Sequence, residues 1–164
     1  MRNTLVNITI VTVFTLIGGC HSSKKDVLGE LVENDLPKFI QALQSMPRDN
    51  ERKAFEHLNA ALGYKEKTPG STFTTFESTS KIKSGGFTGD GRVTLFTRKI
   101  STGGFGVMLF FYPAPKDSLL FIKLNKLLEG VAKKKEDDAV IWYLNDWGLR
   151  AKGQAISFGP DIQE

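Results

Sequence analysis

Cysteine is almost missing from this chain: one in 164 residues, at position 20. A lone thiol closes no intrachain disulfide and supplies no thiolate cage for zinc, so a fold built from this sequence must be held by its core. Histidine is nearly as scarce, with His21 and His57 the only two, and neither has a second ligand at helical spacing. No metal site and no cofactor are expected. The phosphate-binding patterns G-x-G-x-x-G and G-x-x-x-x-G-K-[ST] do not occur. Seven of the sixteen glycines do fall between Gly85 and Gly106, but they lead into strands rather than into a helix whose N-terminus would meet an anion. Hairpin turns are the reading for that cluster.

A strong excess of one charge is also lacking. The chain has 22 Lys and Arg against 18 Asp and Glu, and its cations are scattered in pairs and one triplet, Lys133-Lys134-Lys135. A nucleic-acid binder gathers its cations on one face with aromatic residues between them, so no nucleic-acid partner is expected. Nor is there an apolar run long enough to span a bilayer. Leu5 to Ile17 carries no charge, and nine of its thirteen residues are Leu, Val, Ile or Phe. Crossing the hydrocarbon core takes about 20 residues.

What is present at the N-terminus is more informative. Met1-Arg2-Asn3 opens with a cation, the apolar run follows, and Gly18-Gly19 precede Cys20. These are the three parts of a secretory signal peptide. Ile17-Gly18-Gly19-Cys20 resembles the lipobox of bacterial lipoproteins, an aliphatic residue and two small ones before the cysteine. The resemblance covers about the first twenty residues and departs mildly from the commonest pattern at Ile17 and Gly18. It implies that residues 1–19 are removed, that the Cys20 sulfur receives a diacylglycerol group and that the new amine is acylated. One acyl chain holds a protein only marginally, and stable anchoring takes a second. Three chains on one residue would hold it on its membrane. By that family's sorting rule, His21 in place of aspartate implies the periplasmic face of the outer membrane, or the cell membrane where no outer membrane exists. Residues 20–25 then form a short polar tether, and 26–164 one domain. Without Arg2 the mature chain has 145 residues and 21 cationic against 18 acidic side chains, a surplus of three.

Apolar spacing of three and four from Val27 to Met46 predicts helix, with a kink or restart near Asp35 because Pro37 lacks the N–H its turn requires. Asn34-Asp35-Leu36-Pro37 reads as a cap for the restarted segment. Ala54, Phe55, Leu58, Ala61 and Leu62 mark a second helix, ended by Gly63. Strands are expected over 72–83, 93–100, 105–112, 140–144 and 147–158, the last broken near Gly153. The 105–112 run is apolar at both parities and is placed centrally. A third helix, capped by Asp117 or Ser118, carries Leu120, Leu124, Leu127, Leu128 and Val131, with Lys133–Lys135 at its C-terminal end. The fold class is α+β: an N-terminal helical hairpin, an antiparallel sheet of about five strands and a third helix, in the order ααβββαββ.

Catalytic chemistry is poorly represented. His57 sits between Phe55 and Leu58 as a half-buried helical residue would. Glu136-Asp137-Asp138 invites comparison with glycosidase carboxylates, but that chemistry needs two carboxyls facing each other across a cleft, whereas these follow a lysine run as a solvated turn would. Three aromatics are candidate partner-binding residues: Phe87 at a glycine-rich tip, and Trp142 and Trp147 flanking the Leu144-Asn145-Asp146 turn, although core packing is the default reading for at least two of Trp142, Tyr143 and Trp147. The expectation is a non-catalytic lipoprotein with a binding or envelope-assembly role, acting through sheet-side loops or a sheet edge. The alternative is an immunity or inhibitor protein that neutralises a periplasm-active toxin or hydrolase.

Overall fold

The structure, a computed structural model, describes residues 27–80, 92–101, 103–112 and 119–162. Cys20, His21, Phe87, the signal and tether, and the Asp117/Ser118 cap lie outside these residues. No described helix is long and apolar enough to cross a membrane.

Helix α1 spans Val27–Ser45 without interruption, although Pro37 lies inside it. The expected restart does not occur, for two reasons. Buried Leu36 precedes the proline and Phe39, Ile40 and Leu43 follow it on the same core-facing stripe, so packing on both sides carries the helix through Pro37. Asp35, read as a cap, instead gives its carboxylate to the Tyr64 hydroxyl, which donates to Oδ2 at 2.8 Å.

Helix α2, Glu51–Leu62, begins at Asn50, whose side chain accepts from the Lys53 amide at 3.0 Å. It ends at Gly63 in the left-handed conformation, φ 66°, and the Gly63 N–H closes onto the Asn59 carbonyl. A side chain at that φ would be strained, so the helix stops there.

The sheet corrects the sequence reading most. Among the described residues it has eight strands: β1 Lys65–Lys67, β2 Phe76–Thr79, β3 Arg92–Lys99, β4 Phe105–Tyr112, β5 Lys133–Lys135, β6 Ala139–Leu144, β7 Trp147–Lys152 and β8 Ala155–Gly159. Helix α3, Leu119–Leu127, lies between β4 and β5, and the observed order is ααββββαββββ rather than ααβββαββ. Three strands account for the difference. Lys65–Lys67 and Lys133–Lys135 are exposed and lack any apolar alternation, so nothing local marks them as strands. They exist because neighbours offer ladders. The 147–158 segment is two strands, folded back at Gly153 with φ 55°. The lysine triplet is therefore an edge strand and not a helix end.

Every pairing is antiparallel, in the spatial order β1-β2-β3-β4-β8-β7-β6-β5. The sheet is two four-stranded meanders joined where β4 meets β8, with α3 carrying the chain from the centre to the far edge.

One face holds the core. Val93, Leu95, Leu109, Phe111, Trp142, Leu149, Ile156 and Phe158 share a cluster with Phe39, Leu43, Phe55, Leu58, Leu120 and Leu124 of the three helices. The register puts all of these sheet residues on the same side, since directly opposed residues such as Leu95 and Leu109, or Trp142 and Leu149, share a face. Burying each large side chain contributes about 1.5–3 kcal/mol.

Connectivity also defines two ends. The α1–α2, β1–β2, β3–β4, α3–β5 and β6–β7 connections lie at one end, called distal below. The starts of α1, β3 and α3, the ends of β2 and β4, and the α2–β1, β5–β6 and β7–β8 connections lie at the other, called proximal. The side chains agree: Arg48, just after α1, reaches Asp146 at the distal end, and Glu33, earlier in α1, pairs with Lys123 of α3.

Candidate interaction surface

The second face of the sheet carries no described α-helix. Its central residues are Thr94 and Phe96 on β3, Met108 and Phe110 on β4, and Ala155 and Ser157 on β8, all half-buried. Tyr112 continues the row at the proximal end, 55% exposed, with the Arg92 guanidinium 5.2 Å from its ring centroid. Thr79 and Thr94 share a hydroxyl hydrogen bond at 3.0 Å beside this row. Farther along, the C-terminal 3-10 turn Pro160–Ile162 closes on the same face: Ile162 lies against Gly148 so closely that a Cβ there would come within 2.9 Å of it. The β4 run is thus central, as its composition indicated, but apolar at both parities for two reasons. One parity enters the core and the other forms this α-helix-free face.

The two sheet edges are poor docking sites. β1 exposes Lys65, Glu66 and Lys67, and β5 exposes three lysines. Short, charged edge strands discourage pairing with another chain. Of the routes expected from sequence, that disfavours the sheet edge relative to the sheet-side loops and the face between the edges.

Trp142 and Trp147 are interior residues, which corrects their reading as docking aromatics. Trp142 is fully buried, and its indole N–H has no partner among the described residues. Trp147 is 6% exposed, edge-on to Phe105 at 5.5 Å between centroids and tilted on Phe158 at 5.1 Å. Core packing, the default weighed against that reading, is where both lie.

Arg48 was not legible as a site residue. It stacks over Trp147 at 5.4 Å and Phe158 at 5.6 Å, and pairs with the Asp146 carboxylate. Asn145, φ 62°, makes the left-handed step that brings Asp146 round to it. Beside this pair is a cleft of about 420 Å³ lined by Leu43, Gln44, Arg48, Val131, Tyr143 and Asn145. Its cation is already neutralised by Asp146, so it offers no strong field to an anionic ligand.

His57 bridges the helical hairpin. Its Nε2 lies 3.2 Å from the Ala42 carbonyl and 3.3 Å from Ser45 Oγ. A carbonyl only accepts, so the Ala42 contact is a hydrogen bond in the tautomer with the proton on Nε2, and that tautomer has no lone pair there with which to activate Ser45 as a nucleophile. The acidic triplet is likewise engaged: Glu136 accepts from Arg150 at 2.8 Å and Asp138 pairs with Lys152 at 2.7 Å. The hydrogen bond from Lys152 holds the Asp138 carboxyl below its ordinary range, the reverse of what a general acid requires. Among the described residues no group of three His, Cys, Asp or Glu is placed to hold a metal ion.

No family model matches this chain, and no curated protein or solved structure matches it at a significant level.

Proposed function

We propose that this chain is a lipid-anchored envelope protein, tethered through acylated Cys20 to the periplasmic face of the outer membrane, that binds a protein partner without catalysing a reaction. The anchor reading rests on the Arg2, Leu5–Ile17 and Ile17-Gly18-Gly19-Cys20 pattern. The observation that carries the binding role is the α-helix-free face, where Phe96, Met108 and Phe110 form an apolar row between edges that resist strand addition. These three side chains are half-buried, and the apolar surface they leave open is of the kind used in protein docking. A strongly charged concavity would have favoured the inhibitor reading. The described cleft instead sets Arg48 against Asp146, so assembly is the better supported role.

The test compares mild-detergent pull-downs of the lipidated wild type and Met108→Lys from the native envelope. The expected result is one dominant envelope component that is lost in the variant, while Cys20 acylation and thermal stability persist. A secreted toxin or hydrolase as the prey would replace assembly with inhibition. An unmodified Cys20 in the bait's mass spectrum would overturn the anchor.

A further inference from the structure

We infer that the proximal end of the domain rests on lipid headgroups through the Arg92–Tyr112 corner, so that the distal end, with the Arg48–Asp146 cleft, faces away from the bilayer. This rests on the anchor reading above, but its geometry is independent of the partner.

The first described residue, Val27, opens α1 at the proximal end. From Cys20 to Val27 is seven residues, which span about 25 Å at most when fully extended. Helix α1, with 19 residues, is itself about 28 Å long. To lay the distal end on the membrane, the tether would have to run back along the whole height of the domain, and it is too short to do so with any slack. The proximal end reaches the bilayer with a relaxed tether.

The chemistry of that end fits a headgroup layer. Tyr112 is one of three large apolar or aromatic side chains exposed among the described residues, the others being Phe73 and Ile122. Its ring projects from the end of β4 with the exposed Arg92 cation beside it. Tyrosine is favoured at membrane–water interfaces, where its ring meets the acyl boundary and its hydroxyl stays wet. An arginine at the same level is drawn to anionic lipid. Neither residue has a role in the core.

The absence of a second thiol makes the test direct. In the mature protein acylation consumes Cys20, so an introduced cysteine takes a nitroxide label alone. Asp137→Cys marks the proximal end and Ser101→Cys the distal end, both at exposed turn positions. Each full-length, lipidated variant is reconstituted in phosphatidylethanolamine–phosphatidylglycerol vesicles carrying a gadolinium-chelating headgroup. The expected result is loss of the nitroxide signal by relaxation at 137 and its retention at 101. Equal loss at both positions, or greater loss at 101, with Cys20 acylated, overturns the orientation and leaves the anchor standing. Labelling of Cys20 itself shows a free thiol and overturns both. A further variant, Arg92→Glu with Tyr112→Ser, is expected to weaken the effect at 137 in anionic vesicles. An unchanged effect in a variant that melts like the parent removes the corner as the contact.

Discussion

The Tyr64 hydroxyl and the Asp35 carboxylate meet at 2.8 Å inside the fold, with Asp35 7% and Tyr64 8% exposed. This bond ties the second residue after α2 to the middle of α1. Tyr64→Phe keeps the ring volume and leaves the carboxylate without its buried donor. A loss of about 1–3 kcal/mol is expected, read from urea denaturation.

The same pair sets a pH dependence. Burial pushes the Asp35 carboxyl above its ordinary range, opposed by the Tyr64 hydrogen bond and the Lys38 charge. The folded protein therefore holds this proton to higher pH than the unfolded chain does. Its contribution is greatest below the unfolded pKa, 3.8, and is lost as pH rises through the raised folded value. Asp35→Asn, which still accepts from Tyr64, should flatten that part of the stability–pH profile and be at least as stable as the parent at neutral pH. A steeper profile in the variant would show that Asp35 is stabilised in its charged form.

Gly148 and Ile162 leave no room between them. Gly148→Ala would bring a methyl group to 2.9 Å from the Ile162 side chain and 3.0 Å from its carbonyl carbon. A cost of about 1–3 kcal/mol is expected from such overpacking, with partial recovery when Ile162→Gly is added. Thermal melts of the single and double variants check this.

Arg48 holds the β6–β7 turn to the helical layer. Arg48→Ala removes the Asp146 pair and two cation–π contacts, and should cost about 1–2 kcal/mol. It should also shift the Trp147 fluorescence, since that ring loses its cover. Fluorescence-detected urea titration reads both effects at once.

The lysines of β5 act as a guard. Replacing Lys133, Lys134 and Lys135 with valine leaves a flat apolar edge and should convert the protein to a self-associating species. Sedimentation velocity against the parent would show it.

Periodic segments were legible in the sequence, and segments defined by their neighbours were not. The stripe of α1, the Asn50 and Gly63 caps of α2 and the apolar β4 run each carry their instruction locally. Strands β1 and β5 carry none: Lys-Glu-Lys and Lys-Lys-Lys become strands because Ser78 and Ile141 present open ladders opposite them. Asp35 misled because an acidic residue before Leu-Pro suits a helix start, and its true partner is 29 positions away. The indoles beside the Asn145-Asp146 turn seemed well placed for docking, but strand register turns both inward. Arg48 had no local mark at all, since its meaning lies in a turn 98 residues later.

The last strand of the chain enters the sheet at its centre. Until β8 has been supplied, the two meanders share no ladder, and each ends in a strand with one open edge, β4 on one side and β7 on the other. The sheet therefore closes only once Ala155–Gly159 are available. Were the chain exported as we propose, that order would leave sheet closure until Ala155–Gly159 had crossed the membrane.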